Sequence, residues 1–179
     1  MQRPRVGKIA VVIDASCLIY LWYLDVLPRL VVRYYPIHIP RYVLEEVRRK
    51  GRSKRRLQEL IRHNPFLKIC DVNNEYDVQL LYDHSRNPLA AIDRGEAEVI
   101  IQARELNISE VLIDDRKGRT VARQHSLNPR GVLGILKEFK RIGYIAEIRP
   151  LIEMIRKKPL NYRISEKLLK QELKEIGET

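Results

Sequence analysis

Acidic residues directly follow two short apolar segments of the sequence. Asp14 comes after residues 11–13, and the pair Asp114 and Asp115 comes after residues 111–113. If both segments are buried strands of one parallel sheet, their acids lie at the same carboxyl edge and converge there. Crowded carboxylates repel one another unless a cation lies among them. Oxygen ligands without nearby His or Cys suit Mg²⁺ or Mn²⁺. Taken singly, each Asp is more simply a turn or helix-cap residue, but the two strand ends together predict a site for one of these cations.

Two glutamates fall on the inner sides of predicted helices. In the helix predicted to begin at Pro40, Glu46 lies near the apolar side, because residues three and four apart share a face. In the helix that begins near Gly95, Glu96 borders the apolar stripe and Glu98 is predicted to face outward. A carboxylate at the edge of a buried stripe needs a partner. Glu46 and Glu96 are therefore candidate ligands, with ordinary boundary positions as the alternative.

Short apolar strands alternate with helical patterns along the chain. Strands are predicted at residues 9–13, 37–39, 67–72 and 111–113, and helices at 40–49, 54–62, 75–83, 95–106, 117–124, 131–142, 150–157 and 165–176, after a first helix through Trp22. Ser16 is predicted to cap that first helix, Gly51 to end a helix and Ser53 to start the next. Asn-Pro pairs at 87–88 and 128–129 predict turns. The alternation predicts an α/β protein with a central, mainly parallel sheet and helices on both faces.

The charge balance indicates the class of partner. Lysine and arginine total 34 against 23 acids, which gives a net charge of +11. Such an excess points to a polyanion, usually nucleic acid, although a heat-adapted protein can also carry a charge-rich surface. Residues 48–62 form the densest basic block and are a candidate RNA-binding surface or merely a solvated helix.

Other classes of protein fit the sequence poorly. A haloacid-dehalogenase-like phosphatase would need a second Asp where Ser16 stands, and the sequence contains no Walker A, Gly-x-Gly-x-x-Gly or Gly-x-Ser-x-Gly motif. The four histidines are scattered, so zinc is not expected. Asp14 splits the N-terminal apolar stretch, and no run reaches the ~18–20 apolar residues of a membrane span. We therefore expect a soluble, cytoplasmic protein.

In order and spacing, these segments resemble the PIN-domain nuclease family. The resemblance covers about residues 9–157 and rests on residues 11–16, 39–47, 94–98, 111–119 and 128–134. The Gly-Glu-Ala-Glu segment at 95–98 and the Asp-Asp-Arg-Lys-Gly-Arg segment at 114–119 resemble one archaeal and bacterial, VapC-like PIN subgroup.

The resemblance implies a three-layer α/β/α fold and a ribonuclease that depends on Mg²⁺ or Mn²⁺ and is often a homodimer. We place the PIN-like domain at residues 1–157 and a C-terminal helical extension, packed on the same domain, at 158–179. The family's catalytic and metal-binding acids fall on Asp14, Glu46, Glu96 and Asp115, and Asp114 or Asp93 could assist. Many PIN proteins have Asp where this chain has Glu96. Ser16 matches a small polar residue that the family often has two positions after its first acid.

The candidate RNA-binding residues are Ser16 and the cations that follow the second acidic segment, which are Arg116, Lys117, Arg119 and Arg123. These cations could hold the RNA backbone, or they could form a solvated helix face. Two further interpretations stay open. The chain could be an RNA-binding or assembly protein that has kept the fold without catalysis, or the toxin of a toxin–antitoxin pair with an antitoxin protein as its partner.

Overall fold

The computed structural model describes residues 8–50, 54–84 and 92–178. Its sheet contains five strands, which are β1 (Ile9–Ile13), β2 (Tyr34–Pro40), β3 (Leu67–Cys70), β4 (Glu110–Leu112) and β5 (Asn128–Arg130). The strands lie in the order β3-β2-β1-β4-β5 and every neighbouring pair is parallel. Val12 of β1 pairs with His38 on one side and with Val111 on the other, so β1 is the central strand.

Helices connect and cover the strands. In the described part of the chain they are α1 (Ala15–Tyr23), α2 (Arg41–Lys50), α3 (Lys54–His63), α4 (Glu75–His84), α5 (Arg94–Glu105), α6 (Arg116–Gln124), α7 (Val132–Arg141), α8 (Arg149–Arg156) and α9 (Glu166–Lys174), with a 3₁₀ helix at Leu27–Val32. Val11, Val12 and Ile13 are fully buried because helices pack on both faces of β1. The predicted three-layer α/β/α fold with a parallel sheet is confirmed.

Four predictions about local structure are wrong. Residues 128–129 form part of β5 rather than a turn, because an edge strand tolerates Pro129. Asp14, not Ser16, caps α1, since its extended backbone lets its carboxylate reach the N–H of Cys17. Pro40 ends β2, and α2 begins one residue later. Glu98 is buried rather than outward-facing, because α2 and α4 both pack on α5. The predicted features at Gly51, Ser53 and residues 87–88 lie outside the described residues.

A buried carboxylate joins α7 to two strands. Glu138 accepts hydrogen bonds from Arg33 Nε at 2.8 Å, the Tyr34 hydroxyl at 2.9 Å and an Arg130 guanidinium nitrogen at 3.2 Å. Burial and the Glu138 charge raise the pKa of Tyr34. This group anchors the helix that follows β5.

The C-terminal residues pack on the same hydrophobic core as the rest of the described chain. Leu169 and Leu173 of α9 are fully buried in the core. Glu178 accepts backbone hydrogen bonds from Ile148 at 2.8 Å and Arg149 at 3.0 Å, at the start of α8. The division of the chain at residue 157 stays a prediction.

Within the described ranges, no helix combines the length and the hydropathy that crossing a membrane requires.

Candidate functional site

Asp14 links the ends of two central strands. It follows β1 directly, and its backbone N–H donates to the Leu112 carbonyl of β4 at 2.9 Å. One carboxylate oxygen accepts from Cys17 N at 2.6 Å, and the other accepts from Asp114 N at 3.0 Å. Burial raises the pKa of Asp14 from 3.8 to about 7, and the charge of Asp114 adds to the rise while the backbone hydrogen bonds oppose it. The predicted first acid is thus held rigidly at the carboxyl edge of the sheet.

Glu96 belongs to a capping box at the start of α5. Asp93 accepts from Glu96 N at 2.8 Å, and Glu96 Oε2 accepts from Asp93 N at 3.0 Å. Burial raises the pKa of Glu96 from 4.5 to about 8, and the charges of Asp93, Asp115 and Asp14 raise it further. A Cβ at Gly118 would lie 2.6 Å from Glu96 Oε1. The first turn of α6 can therefore approach Glu96 only because residue 118 lacks a side chain.

Glu46 reaches the same region from α2. A Cβ on Gly95 would lie 2.8 Å from Glu46 Oε2 and 3.3 Å from Asp93 Oδ1. Gly95 therefore lets the α2 glutamate approach the first turn of α5. Sequence periodicity predicted the inner position of Glu46 but gave no indication that a glycine across the helix pair makes room for it.

These acids line a small common space. A cavity of about 10 Å³ is bordered by Asp14, Ser16, Glu46, Asp93 and Glu96, and we call it the acid cavity. Its volume is about that of one water-sized sphere. The structure thus brings together residues from the starts of α1 and α5 and from α2 that the sequence spreads over more than eighty positions.

Asp114 and Asp115 are not among the described residues that line the acid cavity, and each accepts a hydrogen bond from a helix N-terminus. Asp115 is exposed and accepts from Lys117 N at 2.7 Å and Gly118 N at 3.2 Å, so it caps α6. Asp114 accepts from Val132 N at 2.8 Å, at the start of α7, and from the Tyr162 hydroxyl at 3.5 Å. Burial raises the pKa of Asp114. The carboxylate of Asp114 is therefore directed toward α7.

The carboxylates match the donor chemistry of a hard divalent cation. Among the described residues, no three side chains of Asp, Glu, His or Cys form a ready-made metal site. The helix-cap interpretation is correct for Asp14 and Asp115, since each accepts backbone N–H groups, and Asp93 caps α5 in the same way. The acid cavity nevertheless offers oxygen ligands only, and Asp14 and Glu96 hold raised pKa values that a bound cation would lower. The residues present thus fit Mg²⁺ or Mn²⁺.

A larger cavity opens on one side of these acids. Its volume is about 660 Å³, and we call it the arginine groove. Arg116, Arg119 and Arg123 of α6 line it together with Arg163 from the C-terminal segment, and Ser16 borders both this groove and the acid cavity. Arg119 donates to the backbone carbonyl of Asp114. Four of the five predicted RNA-binding residues therefore line the groove, and Lys117 is not among the described residues that border it.

A third cavity shares two acids with the acid cavity. Its volume is about 300 Å³, and Glu46 and Asp93 border both it and the acid cavity. The guanidinium carbons of Arg49 and Arg94 lie 5.0 Å and 5.2 Å from the ring centre of Tyr42, which lines the same cavity. Cationic side chains therefore line both of the larger cavities that share residues with the acid cavity. Part of the basic block at 48–62 lies outside the described residues, and its role stays a prediction.

A parallel sheet with carboxylates gathered where its central strands end defines a PIN-like α/β domain. The chain belongs to the PIN-domain family, because residues 10–178 match the family DUF3368, which is described as a PIN domain. PIN domains are in general nucleases that use divalent metals. The crystal structure of PAE2754 from Pyrobaculum aerophilum is similar, with a TM-score of 0.51 and 14% sequence identity over 74% of this chain and 96% of that chain. At this identity the likeness shows the fold alone, and a comparison with curated protein sequences finds no match.

Proposed function

We propose that this chain is a Mg²⁺- or Mn²⁺-dependent ribonuclease that hydrolyses RNA phosphodiester bonds. The observation that carries the proposal is the acid cavity, where Asp14 after β1, Glu46 of α2 and Glu96 of α5 meet next to two cavities that arginines line. Capping alone does not require Asp14 and Glu96 to be buried near each other with raised pKa values. Such clusters of perturbed carboxylates are typical of functional sites.

Asp14, Glu46, Glu96 and Asp115 would hold the cation, with Asp114 beside them. A divalent cation in this position supplies activation of water and neutralises charge on the scissile phosphate. Because the pKa values of Asp14 and Glu96 are raised toward and above neutral pH, a cation that binds these carboxylates would displace protons from them.

The other predicted residues would bind and orient the RNA. Arg116, Arg119 and Arg123 hold backbone phosphates along the arginine groove, and the Ser16 hydroxyl lies where this groove meets the acid cavity. Lys117 adds positive charge to the first turn of α6. Together these groups place the scissile phosphate at the acids.

The direct test is cleavage of labelled single-stranded and structured RNAs with Mg²⁺, Mn²⁺ or EDTA. The wild type is compared with Asp14→Asn and Asp115→Asn, because Asn retains the N-cap and so preserves the helix starts. Glu45→Gln, an exposed acid on α2, is the matched control. Metal-dependent cutting that the two Asn variants lose and the control keeps supports the proposal. Equal cutting by every variant indicates a contaminating nuclease, and RNA binding without cutting indicates a non-catalytic RNA-binding protein.

The dimer, the toxin role and the antitoxin partner rest on the sequence resemblance and stay predictions. Light scattering after size exclusion measures the oligomeric state. A neighbouring small reading frame whose product binds the chain and blocks RNA cleavage would support the toxin role. Full activity in the presence of that product would argue against it.

A further inference from the structure

A cysteine and a histidine lie side by side at one edge of the sheet. His38 belongs to β2, and Cys70 is the last residue of the edge strand β3. His38 is opposite Lys68 in the register of these parallel strands, so Cys70, two residues further along β3, is its diagonal neighbour on the same face. His38 Nδ1 lies 3.1 Å from Cys70 Sγ. Both side chains are partly exposed, so a small molecule in solution can reach the sulfur.

The protonation states of this pair suit attack by the sulfur with the imidazole as the base. Burial and the charge of Asp71 raise the pKa of the Cys70 thiol, so the thiol keeps its proton near neutral pH. Burial and the charge of Lys68 lower the pKa of His38, so its imidazole is uncharged there and can take up a proton. The sulfur lies 3.6 Å from the Lys68 carbonyl, which makes the imidazole its nearer acceptor. A neutral base next to a thiol is an arrangement that activates the sulfur as a nucleophile.

The second cysteine of the chain is a reference for the first. Cys17 is fully buried in the core, whereas Cys70 is partly exposed. A reagent in solution can therefore reach Cys70 in the folded protein but reaches Cys17 only when the fold opens.

The charges around Cys70 favour an anionic partner. Lys68 is exposed, and its charge acts on both Cys70 and His38. The carboxylate of Asp71 accepts a hydrogen bond from an Arg41 guanidinium nitrogen at 3.0 Å, so much of its negative charge is offset. A small molecule that carries carboxylates would thus be attracted to this edge of the sheet.

We propose that Cys70 is a modification site that forms a mixed disulfide with a small anionic disulfide, with His38 as the base. His38 Nδ1 takes the thiol proton, and the Cys70 sulfur attacks one sulfur of the disulfide with its electron pair. The S–S bond of the reagent breaks as the new S–S bond forms, and the leaving thiolate takes the proton from the imidazolium. The sulfur of Cys70 is oxidised and the leaving sulfur is reduced, so the small disulfide is itself the oxidant. The proposal is independent of the proposed function, because neither residue is among the described residues that line the acid cavity.

Thiol titration of the full, folded chain in EDTA tests the proposal. The reduced protein is mixed with dithiobis-nitrobenzoate, an anionic disulfide whose leaving thiolate absorbs light, and peptide mass spectrometry locates the adduct. We expect Cys70 to react in the folded chain and Cys17 to react only in urea. His38→Gln should slow the reaction about tenfold or more, because glutamine cannot take up the proton. The matched control is His125→Gln, which replaces another partly buried histidine of lowered pKa and should leave the rate unchanged.

A lysine variant separates charge attraction from proton transfer. Lys68→Gln should slow the anionic reagent about threefold at low salt and leave the rate with dithiodipyridine, an uncharged disulfide, unchanged. His38→Gln should slow the reaction with both reagents, because each attack requires removal of the thiol proton.

Three results would overturn the proposal. These are reaction of Cys17 ahead of Cys70 in the folded chain, equal rates in the wild type and His38→Gln, and equal losses in His38→Gln and His125→Gln. Reaction of Cys17 without urea in His38→Gln would show that this substitution opens the fold. His38→Asn, whose side chain is smaller than imidazole, then takes its place, and a rate equal to that of the wild type in this variant contradicts the role of His38.

Discussion

Replacing Glu96 with glutamine should make the metal-free protein more stable at alkaline pH. Glutamine keeps the capping box of α5, because its side-chain oxygen can accept from Asp93 N as Glu96 does. The change removes one negative charge that is buried beside Asp93, Asp14 and Asp115. The expected gain in stability therefore comes from relief of desolvation and repulsion rather than from a new contact.

The size of the effect follows from the pKa of Glu96. Its pKa is about 8 in the folded protein against an ordinary value of 4.5. Between these values the folded state binds more protons than the unfolded chain, so the free energy of unfolding decreases as pH rises. This stabilisation is complete below pH 4.5 and is lost as pH rises through about 8. The whole shift corresponds to about 5 kcal/mol, of which roughly 3 kcal/mol is lost by about pH 7 and roughly 1 kcal/mol by about pH 5.

Urea unfolding in EDTA, followed by far-UV circular dichroism and Trp22 fluorescence, measures this effect. Glu96→Gln should exceed the wild type by about 2–4 kcal/mol near pH 8 and by about 1 kcal/mol or less near pH 5. Glu45→Gln, which removes an exposed acid from α2, should follow the pH dependence of the wild type. A gain that stays constant with pH, or no gain near pH 8, would refute the idea that a buried negative charge at Glu96 destabilises the folded state.

Three further changes test the site and the packing around it. In the same urea assay, Mg²⁺ or Mn²⁺ at a hundredfold excess over its dissociation constant should raise the wild-type free energy of unfolding by about 2.7 kcal/mol. The cation should stabilise Glu96→Gln much less, and equal stabilisation of the two proteins would mean that the cation binds elsewhere. Gly118→Ala should lower the free energy of unfolding by about 1–3 kcal/mol and reduce RNA cleavage, because the new Cβ would lie 2.6 Å from Glu96 Oε1. In the control Gly134→Ala the new Cβ would meet no atom within 4 Å, so this variant should be more stable by up to about 1 kcal/mol. Equal urea midpoints for the two variants would contradict this reasoning. Glu138→Ala should lower the free energy of unfolding by about 3–5 kcal/mol, because it leaves two arginines and a tyrosine without their shared carboxylate. A decrease below about 1 kcal/mol would show that water takes the place of the carboxylate.

Local patterns predicted the sheet and its acids because the relevant signals are contiguous. Buried strands are short apolar runs, and Asp14 and the pair Asp114 and Asp115 follow two of them. The error at β5 arose because that strand has three residues, includes Pro129 and depends on pairing with β4. Glu98 was misplaced because helical periodicity shows one apolar face and does not reveal that two further helices cover the other.

The part of the site that sequence patterns missed depends on long-range packing. Tyr162 donates a hydrogen bond to Asp114 from 48 positions along the chain, and the next residue, Arg163, lines the arginine groove. No local motif marks either residue. The sequence also could not predict that Gly95 and Gly118 make room for Glu46 and Glu96, because each glutamate belongs to a different helix from the glycine that it approaches.

Capping and cation binding are compatible roles for the same carboxylates. A carboxylate oxygen has two lone pairs, so Asp14 can accept its two backbone N–H groups and still offer a lone pair to a cation. The caps orient the acids in the absence of a cation.

Comparing Asp14→Asn with Asp14→Ala in urea unfolding, with and without Mn²⁺, distinguishes the capping role of Asp14 from its role in cation binding. Both variants should lose the stabilisation by Mn²⁺. Asn can still accept the capping hydrogen bond from Cys17 N but not the second bond from Asp114 N, whereas Ala loses both, so Ala should cost about 1–2 kcal/mol more than Asn without metal. Equal metal-free stability of the two variants would mean that the cap at Asp14 contributes little to the free energy of unfolding. If Mn²⁺ stabilised Asp14→Asn as much as the wild type, Asp14 would not be a ligand of the cation.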